Sequence, residues 1–247
     1  MTVTRIWPAA SGGSTVTPVD VTATPTSGTP SSIADGATAD AGLVDGLYIH
    51  DPNGRLASVV DDGSQCRIVT NTGALGDVEF SDIDFFVKNA YFRHPDRIMG
   101  DCTVTLQFKL GGASTPVNAT TQVALFLGYG DTENECRGAV VRCGDWQTTN
   151  ARFSHYRGLG TSSQGAVDGT NRDTTSEWYI RILCVDNDIT LSWSSDGSSW
   201  TDLDGPDGMD PRGGSFWAGF GVYSPVADTV DILSFSVSAP AEYTATP

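Results

Sequence analysis

Few of the chain's titratable residues have a spacing that could support catalysis. Glycoside hydrolysis needs two carboxylates facing one another across the sugar, one as acid and one as nucleophile or base. The five glutamates are Glu79, Glu133, Glu135, Glu177 and Glu242, and only Glu133-Asn134-Glu135 approaches a paired spacing. It lies in a polar stretch between Gly130 and Cys136 that reads as a solvated turn. His50, His94 and His155 are far apart; His155 stands beside Tyr156 and Arg157 in RFSHYRG, which reads as a strand. Arg and Tyr together suit an acidic sugar, or neutralise a carboxylate in a lyase, and equally suit a plain exposed strand face. The sequence has no GxSxG, P-loop or HExxH, so the expectation is a chain without catalytic residues.

Metal chemistry has one candidate. Asp202–Asp210 (DLDGPDGMD) carries four carboxylates in nine residues, and calcium takes about six to eight oxygens. Pro206 breaks the acidic spacing of a calmodulin-type loop. Two readings stand, a structural calcium or a flexible acidic loop joining two strands, and no other cofactor is expected. Glycan binding needs flat rings for sugar C–H faces and polar groups for hydroxyls. The candidates are Tyr129, Trp146, Tyr156 and Arg157, with Tyr223 behind them. Trp146, in the loop-like GDWQTTN, reads as the most exposed, and each aromatic could also simply cover a sandwich edge.

The elements that must position these residues are strands. Asp and Glu outnumber Lys and Arg by 30 to 14, and only Lys88 and Lys109 are lysines. A bias towards Asp and 28 glycines favours turns over helices. The net charge of −16 repels nucleic acid and anionic membranes. Cys66, Cys102, Cys136, Cys143 and Cys184 lack zinc spacing and read as reduced and mostly buried, against a disulfide framework. MTVTRIWPAASGG lacks the pattern of a signal peptide, and no apolar run is long enough to cross a bilayer.

Asp101–Leu110 (DCTVTLQFKL) alternates apolar and polar residues, one face core and one wet. Thr121–Tyr129 (TQVALFLGY) is apolar on both faces, as a central strand would be. Glu177–Val185, Asp186-Asn187-Asp188 and Ile189–Trp193 read as a hairpin. In SWSSDGSSW, Trp193 continues an inward row, Gly197 supplies a positive φ in the turn, and Trp200 restarts a strand and packs across the hairpin from Trp193 or its neighbours. In Ser215–Ser224, Ala218, Gly219 and Gly221 let a facing layer approach closely. The last strand places Leu233, Phe235 and Val237 inward. Ahead of these strands, Ala9–Ala41 is almost all Ala, Ser, Thr, Gly and Pro, and reads as a linker, a stalk, or a strand pair completed by another chain.

The order RG with a Gly/Ser-rich loop, WYIRILCVDNDITLSWSSDGSSWTDL, SFWAGFGVYS and DTVDILSFSVS resembles the concanavalin A-like lectin/glucanase superfamily of the laminin-G-like kind. The resemblance covers residues 150–239 well and reaches loosely back to Asp77. It implies an all-β, two-sheet antiparallel jelly-roll sandwich whose concave face or rim loops hold glycans, although fold alone does not fix function. The expected organisation is an N-terminal docking arm and stalk over 1–41, the sandwich over 42–241 and a tail over 242–247.

Together these readings predict a bacteriophage virion appendage, a head or tail spike or fibre adhesin. It would be anchored to other virion proteins through residues 1–41 and display a glycan-binding jelly roll to the host surface. The expected state is a homo-oligomer located in the virion, without nucleic acid or membrane insertion. The alternatives are a decoration module that binds no sugar, or a polysaccharide-degrading enzyme of the same superfamily.

Overall fold

The computed structural model describes residues 19–71, 90–99, 101–110, 121–129, 137–145, 150–159, 162–167, 172–173, 175–186, 188–208, 215–224, 227–239 and 241–243. In chain order the strands are β1 (Val19–Ala23), β2 (Tyr48–His50), β3 (Leu56–Asp61), β4 (Cys66–Thr70), β5 (Ala90–Arg93) and β6 (Arg97–Met99). They continue with β7 (Cys102–Leu110), β8 (Gln122–Tyr129), β9 (Arg137–Asp145), β10 (Asn150–Leu159), β11 (Ser162–Val167) and β12 (Arg172–Asp173). The last six are β13 (Trp178–Val185), β14 (Asp188–Ser194), β15 (Thr201–Gly208), β16 (Ser215–Tyr223), β17 (Thr229–Ala239) and β18 (Ala241–Tyr243).

They form two antiparallel sheets packed face to face. The eight-stranded sheet runs β15-β14-β13-β7-β17-β4-β3, with β1 also on β17. The ten-stranded sheet runs β11-β10-β9-β8-β16-β5-β2, with β12 on β10, β6 on β16 and β18 on β6. A sandwich of this kind needs strands whose alternate residues are apolar, and β7 meets that demand along its whole length, with Cys102, Val104, Leu106, Phe108 and Leu110 buried. Aromatic rings join the layers at two places. Phe220 of one sheet meets Phe235 of the other at 5.1 Å between centroids, and Phe153 stacks on Trp193 at 5.0 Å.

Residues 19–41 are part of the sandwich, which corrects the stalk expected there. β1 pairs with β17 over five residues, from Val19 opposite Ala239 to Ala23 opposite Phe235. Gly28 then bridges Asp61 at the edge of one sheet, and Thr38 bridges Tyr48 at the edge of the other. The segment therefore crosses the open side between β3 and β2, and Ala39, Leu43, Val44 and Leu47 are buried beneath it. A chain of small residues suits this course because it lies close against both edges; Asp35, Asp40 and Asp61 accept backbone N–H groups along the way. Residues 1–18 lie outside the described residues.

Two local expectations are also corrected. Residues 202–208 are not a flexible loop, because Thr201–Gly208 pairs with β14 as an edge strand. The register of β17 against β7 slips between Ile232 and Ser234. Leu233 is the extra residue of that bulge and is only half-buried, so Val230 and Ile232 fill the core before it and Phe235 and Val237 after it. The Trp200 ring, expected opposite Trp193 or its neighbours, lies under the guanidinium of Arg181, the register partner of Ser192, at 4.1 Å. The SDG turn is as expected, with Gly197 at φ 72° and the Asp196 carboxylate accepting the Ser198 and Ser199 N–H groups at 2.7 Å each.

Candidate functional site

Strands of the ten-stranded sheet are apolar on both faces, and only one face meets the other sheet. In β8, Val123, Leu125 and Leu127 belong to the shared core, while Ala124 and Phe126 belong to a second cluster with Tyr91, Val140, Trp217 and Tyr223. Strand alternation places this second cluster on the outer face. Register carries one row across it: Tyr156 opposite Val140, Val140 opposite Phe126, Phe126 opposite Gly219, Gly219 opposite Arg93 and Arg93 opposite Tyr48.

Glycine is required in the middle of that row. A Cβ on Gly219 would stand 2.2 Å from the Phe92 carbonyl oxygen and 2.6 Å from Phe126 Cζ. The close approach expected at this glycine therefore comes from the two flanking strands, the β5 backbone and a β8 ring, and not from the facing sheet.

Towards the β2 edge, guanidinium groups and rings stack. Arg93 lies 4.1 Å from the Tyr48 ring centroid and 4.7 Å from that of Trp217, and Arg97 lies 4.4 Å from Trp217. Tyr48, Arg93 and Arg97 are half-buried and Trp217 is 9% exposed. A guanidinium stacked by its plane is attracted to the ring quadrupole and directs its N–H donors sideways. Arg142 and Arg152 hold register positions on the same face, opposite Ala124 and Gly144. Among the described strand positions of this face the carboxylate is Asp173, opposite Asn150 at the rim, and it accepts from Thr175 and Ser176 of its own turn.

Beside these residues the same edge is closed. His50 stacks on Tyr91 with centroids 4.4 Å apart, and they are 4% and 1% exposed. His50 Nδ1 also stands 3.7 Å from the Asp35 carboxylate. A Tyr–His pair is a lyase-type acid–base set, and here both rings are spent on packing.

The outer face of the other sheet offers a rival patch, Trp200 with Arg181 and Tyr179. Burial holds the Arg181 guanidinium below its usual range, and Asp202 opposes that shift. Burial raises the Tyr179 hydroxyl, helped by Glu177 and Asp196. With three carboxylates around it, this patch already contains its own counter-charges.

Of the residues singled out by sequence, Tyr156 stands opposite Val140 of the outer cluster, whereas Arg157 stands opposite Ala139 of the core. Neighbours on a strand belong to opposite faces, so the register separates this pair. Tyr129 ends β8 opposite Arg137. Trp146 and Glu133-Asn134-Glu135 lie outside the described residues, as do the side chains of Tyr129, Tyr156 and Arg157. Tyr223 is buried in the outer cluster. Among the described residues no group of three His, Cys, Asp or Glu could hold a metal ion, and the aspartates of β15 are strung along an edge strand. Sequence reading missed Tyr48, His50, Tyr91, Arg93, Arg97 and Trp217. Their signal was short alternation, Tyr48 and His50 in YIH and Tyr91 and Arg93 in AYFR.

Comparisons with known proteins bear on the fold. No protein-family model matches the chain, and no curated protein matches it. Solved structures do. The legume lectin-like domain from Entamoeba histolytica aligns with a TM-score of 0.52 at 10% identity, over 80% of this chain and 91% of that one. The alginate lyase from Klebsiella pneumoniae aligns with a TM-score of 0.50 at 10% identity, over 74% and 83%. The GH43 BlXynB protein from Bacillus licheniformis aligns with a TM-score of 0.53 at 10% identity, over 83% of this chain and 39% of its own, so the chain spans about two fifths of that protein. The fold is a two-sheet antiparallel jelly-roll sandwich. At these identities the likeness concerns the fold alone.

Proposed function

We propose that this chain is a non-catalytic glycan-binding jelly roll that holds its sugar against the Tyr48–Arg93–Trp217–Arg97 edge of the ten-stranded sheet. The observation that carries the reading is the alternation of guanidinium and ring along that edge. The stacked guanidinium groups present edges that donate to hydroxyls and, as a bidentate pair, to a sugar carboxylate, and half-buried Tyr48 is the ring nearest the rim for sugar C–H groups. Tyr156 holds a register position in the same cross-sheet row, on β10. Fold neighbours that include a lectin-like domain, a GH43 protein and an alginate lyase make carbohydrate the ligand class to consider first. The buried His50–Tyr91 stack favours binding over turnover.

The setting we propose is a virion appendage that displays this face to a host surface. Residues 1–18 would act as the docking segment, since 19–41 belong to the sandwich.

A glycan array followed by calorimetry tests the binding. Wild type should bind at least one glycan, and Arg93→Ala with Arg97→Ala should weaken it about tenfold or more, as loss of charged hydrogen bonds does. Equal binding by the double variant sinks the site, and no binding by wild type sinks the function. The virion setting fails separately, if purified particles lack the chain, and the docking role fails if particles hold the chain with residues 1–18 open to protease.

A further inference from the structure

We infer that Cys102 and Cys184 form a disulfide modification site, a cross-strand pair that a small-molecule disulfide can oxidise in the folded protein. The two residues are direct register partners of β7 and β13. Both are free thiols, 4% and 2% exposed, and they are hydrogen-bonded to each other.

The geometry suits a bond. Directly opposed residues of an antiparallel pair have Cα atoms roughly 4.5–5.5 Å apart, inside the roughly 4.4–6.8 Å range of disulfides. Their Cβ atoms are roughly 4.5–5.5 Å apart and must close to about 3.5–4.5 Å. The position in the ladder allows that contraction. Cys102 is the first residue of β7, Cys184 is the last but one of β13, and the pair forms the final rung of their register. Just beyond it, Asp186 takes a positive φ of 53° and donates its N–H to Asp101. The β7–β13 ladder has no further rung beyond the pair to hold the strands apart, while Cys184 stays paired with Ile189 of β14 on its other side.

Access is also present. An open cavity of about 230 Å³ is lined by Asp101, Cys102, Thr103, Cys184, Val185 and Ser238, among others. Cys66 and Cys143 are buried too, and among the described residues this cavity reaches only the first pair.

The chemistry balances by exchange. One cysteine thiolate attacks a low-molecular-weight disulfide such as oxidised glutathione, forming a mixed disulfide and releasing one glutathione thiolate. The second cysteine then attacks the bound protein sulfur and releases the other. Two protein S–H bonds are lost, one S–S bond forms, and the small disulfide takes both electrons and both protons as two thiols. The hydrogen bond to Cys184, together with burial, holds the Cys102 thiol well above its usual range, so exchange is slow. A bond contracted from the ladder spacing is also readily reversed by a dithiol.

The test incubates the folded, full chain overnight with oxidised glutathione, then denatures it, alkylates free thiols and measures mass. The expected result is loss of two of the five thiols, a non-reduced peptide joining Cys102 to Cys184, a higher Tm, and restoration of five thiols by dithiothreitol. Cys184→Ser and Cys102→Ser should each keep all remaining thiols free of internal bonds. Five free thiols in oxidised wild type, or a linked peptide that uses other cysteines, overturns the inference without bearing on glycan binding.

Discussion

Arg67 of β4 grips the buried carboxylate of Asp231 on β17 through two parallel hydrogen bonds, Nε to Oδ1 at 2.8 Å and Nη2 to Oδ2 at 2.9 Å. The carboxylate has no exposure, whereas the guanidinium is 41% exposed. Removing the arginine leaves a buried charge without its partner, which is the costly way to break such a pair. Arg67→Ala should lower stability by about 2 kcal/mol, less than for a fully buried pair because solvent screens the arginine. Arg67→Lys should recover only part, since an ammonium cannot donate as a fork. Urea unfolding reads this as a fall in midpoint with the slope unchanged, and a midpoint equal to wild type would refute the account.

Gly219→Ala should destabilise by about 2 kcal/mol or more, the scale of overpacking a tight site. The new Cβ would meet the Phe92 oxygen, Phe126 Cζ and Arg93 Cα at 2.2, 2.6 and 2.9 Å. Two of these atoms are backbone and cannot swing aside. Because Arg93 is one of the three, glycan binding should fall as well as Tm, and an alanine variant with unchanged Tm would contradict the packing.

Burial pushes the Asp61 carboxyl up from its ordinary value, against hydrogen bonds from Cys66 and Leu43. A raised folded-state pKa stabilises below the ordinary carboxylate range, and that share is lost as pH rises through the raised value. Asp61→Asn keeps an oxygen for the Leu43 N–H and has no such loss. The Tm of the variant minus that of wild type should therefore be more favourable at pH 7 than at pH 4. A difference that does not change with pH would remove burial as the cause.

Phe153 is fully buried, stacks on Trp193 at an interplanar angle of 11° and meets Trp178 edge-on at 5.6 Å. It joins β10 of one sheet to β13 and β14 of the other. Phe153→Ala should cost about 3–5 kcal/mol and quench or shift the tryptophan emission. Loss of stability without a change in emission would mean that the ring does not contact these indoles.

Strands with strict alternation were legible in the sequence. β7 reads directly as a half-wet strand, and the hairpin, the SDG turn and the doubly apolar β8 follow from residue type and spacing. The segment over 19–41 was not, because its contribution is to lie close rather than to fill a core. Its one clue was VDVTA, where Val21 and Ala23 pack against the core while Asp20 is exposed. The bulge at Leu233 was hidden for a different reason: it changes the phase of a strand that alternates on either side of it. The site was least legible. Arg93 and Tyr48 meet Trp217, a residue more than a hundred positions further along the chain, and only the register brings the three strands together.

β1 gives the sandwich a mechanical grain. Its ladder hydrogen bonds run across the strand, and Val19 opposes Ala239, so the first described strand and the end of β17 leave from the same end of one ladder. A pull between those two ends would peel the rungs one after another, as a zipper opens. A tether ahead of Val19 working against a load on the far sheet would instead draw along the strand axis and strain all five rungs at once, which is the stiff direction for a head held by its leading segment.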